Sequence, residues 1–172
     1  MTIIMAASVD PGLKGAWALL SKQDSTTSVV DILPMPVIKS TNELDIPGIV
    51  LLLSNWSNLY GSFNLTIESQ QVLPNQGISS GFKTGKGFGI LLGVSQTLNI
   101  PYKVVAPKQW QKPFPSVSIP DDINNLNIKD TKKRSLALCL RYFPHFPLKT
   151  NRGRYRDEFS DAILLSYWSL NF

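Results

Sequence analysis

The residues in this chain best suited to chemistry are acidic: Asp10, Glu68, Asp161, and Asp157 or Glu158. Each sits against an apolar segment. Asp10 closes TIIMAASVD and precedes Pro11-Gly12, Glu68 closes FNLTIE, and the last group opens the helical pattern of RDEFSDAILLSYW. A carboxylate at the end of a buried strand is costly without a partner. Several brought together repel one another and raise their own pKa values. Hard divalent cations remove that penalty, because they bind carboxylate oxygens. The chain as a whole is basic, with 17 Lys and Arg against 12 Asp and Glu and a net charge of +5, so cations held there would face a phosphate. Taken singly, Asp10 is an ordinary turn residue before Pro-Gly and Glu68 a strand-end surface charge. Asp157 and Glu158 suit the first turn of a helix for dipole reasons alone. The matching contexts together turn the reading to metal ligation.

The elements that must position these residues follow from periodicity. Ile3 to Val9, Gly15 to Leu20 and Ser28 to Leu33 read as strands separated by turns, and so predict an antiparallel meander. Asp45-Ile46-Pro47 opens a helix with apolar positions at Ile49, Leu52, Leu53 and Trp56. Phe63 to Glu68 is a fourth strand, Gln70 to Gly81 a loop, Gly85 to Leu98 a helix, and Tyr102 to Ala106 a fifth strand. Pro113 to Lys129 reads as a loop. Asp130-Thr131-Lys132 caps a helix running to about Tyr142, and after a loop over His145 to Arg154 the last helix runs from Arg156 to Leu170. The order β-β-β-α-β-α-β-α-α predicts an α/β fold: a mixed five-stranded sheet, three strands antiparallel and then parallel ones, flanked by helices on both faces. In that layout the first and fourth strands are neighbours. Asp10 and Glu68 then lie side by side, and the start of the last helix brings Asp161 to the same spot.

Composition narrows the function classes. The 172 residues suit a single domain, 1–172, with a sizeable core. Hydrophobic content of 43% and charged content of 17% argue against disorder. One cysteine, Cys139, leaves no internal disulfide or zinc cluster and favours a reducing compartment. No apolar run reaches the ~18 residues of a membrane span. Met1 to Val9, cut short by Asp10-Pro11-Gly12, is too short for a signal peptide. The pI near 9.4 is by itself weak evidence for nucleic acid, since simple solubility accounts for it more often. His145, between Pro144 and Phe146, reads as structural or exposed. F-K-T-G-K-G-F-G lacks the G-K-[ST] of a phosphate-binding loop, so its glycines are read as sites of close backbone approach.

The motifs resemble a known family. SVDPGLKGAWALL looks like the first motif of the RuvC-type Holliday junction resolvases, LTIESQ like their second, and DEFSDAILLSYW like their last. GKGFGILLGVSQTLNIPYKVVAPKQWQK and DTKKRSLALCLRYFP resemble the corresponding segments of the phage and monokaryotic chloroplast branch. The similarity spans nearly the whole chain and is weakest over Ser21 to Tyr60 and Pro113 to Lys129. It implies a ribonuclease H-like fold, a homodimer, and cutting of four-way DNA junctions by paired symmetric nicks. It also implies two Mg2+ ions per active site, with Mn2+ as a substitute. The bacterial pattern places the extra ligand three residues before the final Asp, at Glu158; the chloroplast pattern places it four before, at Asp157. Both share a helix face with Asp161, so spacing leaves the choice open and only the closer branch leans to Asp157. The expected location is the cytoplasm or nucleoid for a bacterial or phage protein, and a plastid or mitochondrion for a eukaryotic one.

Lys83, Lys86, Lys108, Lys112, Lys132, Lys133, Arg134, Arg152, Arg154 and Arg156 supply a positive field. Each alone is a solvated surface charge; gathered near a metal site they would pair with DNA phosphates. Lys132 and Lys133 in particular open a helix, whose N-terminus suits an anion. Phe82 and Phe88 suit core or interface packing, or a wedge at a junction, and Trp110 in the P-x-x-W segment reads as a packing anchor. The competing readings are another ribonuclease H-like nuclease, acting on DNA ends or RNA–DNA hybrids, and a non-catalytic nucleic-acid-binding domain. An actin-like sugar kinase ranks last, because the chain is too short for its two domains.

Overall fold

The first three strands pack edge to edge because short turns force them to. In the computed structural model, which describes residues 2–71 and 77–172, β1 (Ile3–Asp10), β2 (Ala16–Gln23) and β3 (Thr26–Pro34) form the predicted meander. The turn after Asp10 depends on two glycines. Gly12 has φ +122°, and a Cβ on Gly15 would stand 1.8 Å from the Asp10 carbonyl oxygen, so any side chain there displaces the backbone that carries Asp10. A tiny hairpin follows, β4 (Val37–Ile38) with β5 (Glu43–Leu44), which the sequence pattern does not announce because each strand is only two residues long. Next comes α1 (Ile46–Tyr60), where Asp45 caps the N-terminus by accepting from the Gly48 N–H and Gly61 ends the helix with φ +79°.

β6 (Asn64–Glu68) pairs in parallel with β1, and β7 (Tyr102–Val105) in parallel with β6. The sheet order is β3-β2-β1-β6-β7, the mixed five-stranded arrangement expected. α2 (Ile78–Thr97) connects β6 to β7. It starts seven residues before the predicted Gly85, since Ser79, Ser80, Gly81 and Thr84 weaken a helical pattern without forbidding the helix. Within the predicted loop over Gln70 to Gly81, residues 72–76 lie outside the described residues. The remaining helices are α3 (Pro107–Gln111), α4 (Asp121–Asn124), α5 (Asp130–Tyr142) and α6 (Asp157–Asn171). α4 interrupts the predicted loop over Pro113 to Lys129 and anchors it with the fully buried Ile123. Asp130 is the first helical residue of α5 rather than its cap; that place is taken by Lys129, with no side-chain cap.

Two apolar layers cover the sheet. Ala7, Val9, Trp17, Leu19, Leu65 and Ile67 face α1 and α2, while Ala16, Ala18 and Leu20 face α5 and α6. The period-2 alternation of a strand sorts them. Leu91 and Val94 of α2 are buried in the first layer, with Phe88, Ile90 and Leu98 against it, so this face is core. The opposite face of α2 is open: an added Cβ at Gly85, Gly89 or Gly93 meets nothing within 4 Å. Those glycines therefore do not serve a close backbone approach within the chain. Among the described residues, no helix is long and apolar enough to cross a membrane.

Candidate active site

Alternation also decides where the strand-end acids point. Ser8 turns to α6, donating its hydroxyl to the Ala162 carbonyl at 2.6 Å, and Thr66 does the same, donating to Ser169 at 3.0 Å. Asp10 and Glu68, each two residues further on, therefore emerge on the α6 side of the sheet. The register Ser8↔Thr66 and Val9↔Ile67 sets the two carboxylates on adjoining strand ends. On the helix, Ser166 donates to the Ala6 carbonyl at 2.8 Å. These buried serine and threonine bonds lock α6 against β1 and β6, and with it the position of Asp161. Their signal in the sequence is slight: the polar residues Ser8, Thr66 and Ser166 on otherwise apolar, buried faces.

Asp10, Glu68 and Asp161 are thus brought together. Burial, then the Asp161 charge, pushes the Asp10 carboxyl up to about 6. Burial, then the Asp10 charge, pushes Glu68 up to about 7, against the opposing pull of a hydrogen bond from Trp110. That bond runs from the Trp110 indole Nε1 to Glu68 Oε2 at 2.7 Å. Trp110 is also the packing anchor expected, 1% exposed and edge-on to Phe114 at 6.1 Å.

Lys132 is the largest departure from the sequence reading. Instead of facing solvent as a phosphate ligand, its ammonium group hydrogen-bonds Asp161 and lies 3.6 Å from Asp10. Burial opposes its charge, but Asp161, Asp10 and then Asp157 outweigh that and raise its pKa. Lys133 is likewise engaged, donating to the Asn124 carbonyl at 2.7 Å and pairing with Asp130 at 3.7 Å. Of the two candidates for a further carboxylate, Asp157 acts on Lys132, whereas Glu158 pairs with Arg154 at 3.7 Å.

The other cations spread around this site. Lys83 and Lys86 are exposed on α2, Lys86 paired with Glu43 at 2.6 Å. A cleft of about 390 Å³ separates Lys83 from the Pro11–Leu13 turn and the β4–β5 hairpin. Lys108 and Lys112 are exposed on and just after α3. Arg152 and Arg154 stand exposed on a hairpin closed by the Lys149↔Tyr155 bridge, immediately before Asp157. Arg156 lies 5.0 Å over the Phe159 ring, and Arg134 donates to the Phe114 carbonyl, an internal role. Phe82 is exposed and His145 is exposed.

Among the described residues, no three Asp, Glu, His or Cys side chains are drawn close enough to hold an ion as they stand; the Lys132 ammonium sits within reach of two of the acids instead. The donor set itself suits a hard divalent cation, being carboxylate oxygens whose charge burial and mutual repulsion make costly. Such an ion would take over the charge that Lys132 now balances.

No protein-family model matches the chain, and no curated protein sequence does. Solved structures do. Thermus thermophilus RuvC in complex with a Holliday junction substrate superimposes with a TM-score of 0.59 at 12% identity, covering 96% of this chain and 91% of that one. The Fowlpox virus resolvase in complex with Holliday junction DNA gives 0.56 at 16% identity, covering 94% and 95%. The yeast mitochondrial Holliday junction resolvase gives 0.56 at 13% identity, covering 95% and 76%. The fold is accordingly the ribonuclease H-like fold of these RuvC-type structures.

Proposed function

We propose that this chain is a structure-selective endonuclease that cuts four-way DNA junctions, nicking two opposed strands symmetrically as a homodimer. The observation that carries the reading is the convergence of Asp10, Glu68 and Asp161 at adjoining strand ends and α6, on a fold shared with solved junction resolvases. Fold alone would not assign a function; the carboxylates give it a chemistry. Asp10, Glu68 and Asp161, with Asp157 as the nearer further acid, would hold divalent cations, Mg2+ or Mn2+. Held there, divalent cations would supply activation of a water and charge stabilisation at the leaving 3′ oxygen. The chain's own part is to hold the carboxylates on rigid elements and, through Lys132, to balance their charge. The motifs APKQW and DTKKR favour the phage and chloroplast branch of these enzymes.

The deciding experiment is cleavage of immobile and mobile four-way junctions with Mg2+, read strand by strand, beside linear duplex and an RNA–DNA hybrid. Paired nicks on the junctions alone are expected. Preferential digestion of DNA ends or of the hybrid would assign the fold to another nuclease class, and tight junction binding without cutting would make it a binding domain.

Symmetric nicking needs two active sites related by a twofold axis, which a C2 dimer supplies. The open glycine strip of α2 lets a second copy's helix approach closely. Light scattering at micromolar concentration should report a dimer, and Gly89→Leu should shift it towards monomer. A wild-type chain that stays strictly monomeric with and without junction overturns the dimer.

Junction affinity should fall steeply with salt, with a log–log slope near −0.9 per phosphate neutralised. Arg152→Ala with Arg154→Ala should make the slope shallower by about one to two units and weaken all junction sequences alike. Lys133→Ala should leave the slope unchanged, because that side chain is 14% exposed and donates to the Asn124 carbonyl, whereas Arg154, though 3.7 Å from Glu158, is 74% exposed. A wild-type slope in the arginine variant would move the DNA surface elsewhere.

A further inference from the structure

We infer that Trp110 is a positioning residue for Glu68, its indole N–H fixing the plane and direction in which the carboxylate meets the acidic cluster. The inference rests on the nuclease reading above and deepens it. The bond from Trp110 Nε1 to Glu68 Oε2, at 2.7 Å, engages one oxygen and leaves Oε1 for an incoming ligand. Turning the carboxylate out of this plane breaks that bond, and a half-turn merely exchanges two equivalent oxygens, so one plane is held. Buried indoles usually find an acceptor, although the buried Trp168 Nε1 has none among the described residues; a backbone carbonyl would serve packing equally well, and for Trp110 the acceptor is a cluster acid.

The donor is itself held rigidly. β7 ends at Val105 in register with Glu68, and the Ser69 N–H donates to the Val105 carbonyl at 2.7 Å. Pro107 then opens α3 after a single intervening residue, Ala106, so Trp110 returns beside the end of β6. Its ring is buried and meets Phe114 edge-on, and Phe114 in turn meets Tyr142 of α5 at 5.9 Å and Tyr167 of α6 at 6.1 Å. The same aromatic group thus links Glu68 to the helices that carry Lys132 and Asp161. An orienting bond to a ligand from a rigid partner is what sets metal affinity and rate in sites of this kind.

Two replacements separate the N–H from the ring. Trp110→Phe removes the donor and shrinks the ring; benzothienylalanine at 110 keeps the shape and puts sulfur in place of N–H. With both proteins, Mn2+ binding is followed by calorimetry without DNA, alongside junction affinity, KM and kcat. Both are expected to bind Mn2+ and turn over about 10–100-fold less well, with KM and junction affinity unchanged. In wild-type protein the Trp110 indole proton resonance should shift on Glu68→Gln. Wild-type Mn2+ affinity and kcat in the benzothienylalanine protein, or an indole proton indifferent to Glu68→Gln, overturns the inference and leaves the nuclease reading standing. A wild-type chain that neither binds Mn2+ nor cuts a junction overturns both.

Discussion

Asp10→Asn, Glu68→Gln and Asp161→Asn are each expected to slow junction cutting by ~100-fold or more, with junction binding intact or tighter. Each change removes an oxygen ligand and a repulsive charge but no phosphate contact. Cutting at near wild-type rate in any one of them removes that residue from the ligand set. Asp157→Asn and Glu158→Gln extend the series: the first should be impaired and the second active, because Asp157 acts on Lys132 together with Asp161 and Asp10, while Glu158 turns to the exposed Arg154. The reverse result would make Glu158 the ligand.

The same variants carry a stability signature of opposite sign. Asp10 and Glu68 have folded-state pKa values of about 6 and about 7, above their ordinary values of 3.8 and 4.5. The folded chain therefore keeps protons that the unfolded chain has released. Their contribution to stability is fullest below about pH 4 and is lost as pH rises through 6 and 7. Without divalent ions, Glu68→Gln should gain stability at pH 8, on the order of 1–3 kcal/mol, and nothing at pH 4. Divalent-ion binding should follow the opposite course, weakening as pH drops below about 7, where the ion-free Glu68 takes up its proton, so cutting at limiting Mg2+ should fall with it and saturating Mg2+ should move that limit to lower pH. Thermal melts at the two pH values check the first statement and a pH–rate profile the second. A Glu68→Gln protein less stable than wild type at pH 8 would contradict the charge argument.

Lys132→Met should produce the second large effect. Its ammonium group is bonded to Asp161 and 3.6 Å from Asp10, so its loss leaves partly buried carboxylates without a counter-charge. Removing one member of a buried pair costs ~3–5 kcal/mol. With the Lys132 side chain 29% exposed, about 2 kcal/mol is expected at pH 8 in the absence of divalent ions. Adding Mg2+ or Mn2+ should raise the melting temperature of Lys132→Met more than that of wild type, because ion and ammonium compete for the same negative charge. Binding stabilises by about 2.7 kcal/mol at a hundredfold excess over Kd, enough to recover the deficit. A variant as stable as wild type without ions, or one gaining no more from them, would show that Lys132 and a cation do not share a place.

Much of the fold was legible because its signals are local. The meander was read from apolar runs broken by Pro, Gly and polar turns, and α1 from Asp45 and Pro47. Placing Asp10 beside Glu68 needed only one further rule, that strands joined through a helix pair in parallel, and β1 and β6 do. Weak or very short local signals were missed: the two-residue strands β4 and β5, the single turn of α4, and the start of α2 with its Ser79, Ser80, Gly81 and Thr84.

What the sequence alone determined was the set of strands, their order, and which acids end them, since period-2 alternation and turn chemistry act over a few residues. What only the tertiary structure decided was how side chains from distant segments meet. The bonds from Ser8 and Ser166 that seat α6 span 154 and 160 residues of chain. Lys132, by spacing a helix-start phosphate ligand, becomes the counter-ion of Asp161 because α5 packs against α6. Trp110, by spacing a packing anchor, becomes the donor to Glu68 because β7 lies beside β6. A charge or an N–H takes its role from the partner it meets, and partners brought together by packing leave no periodic trace in either segment.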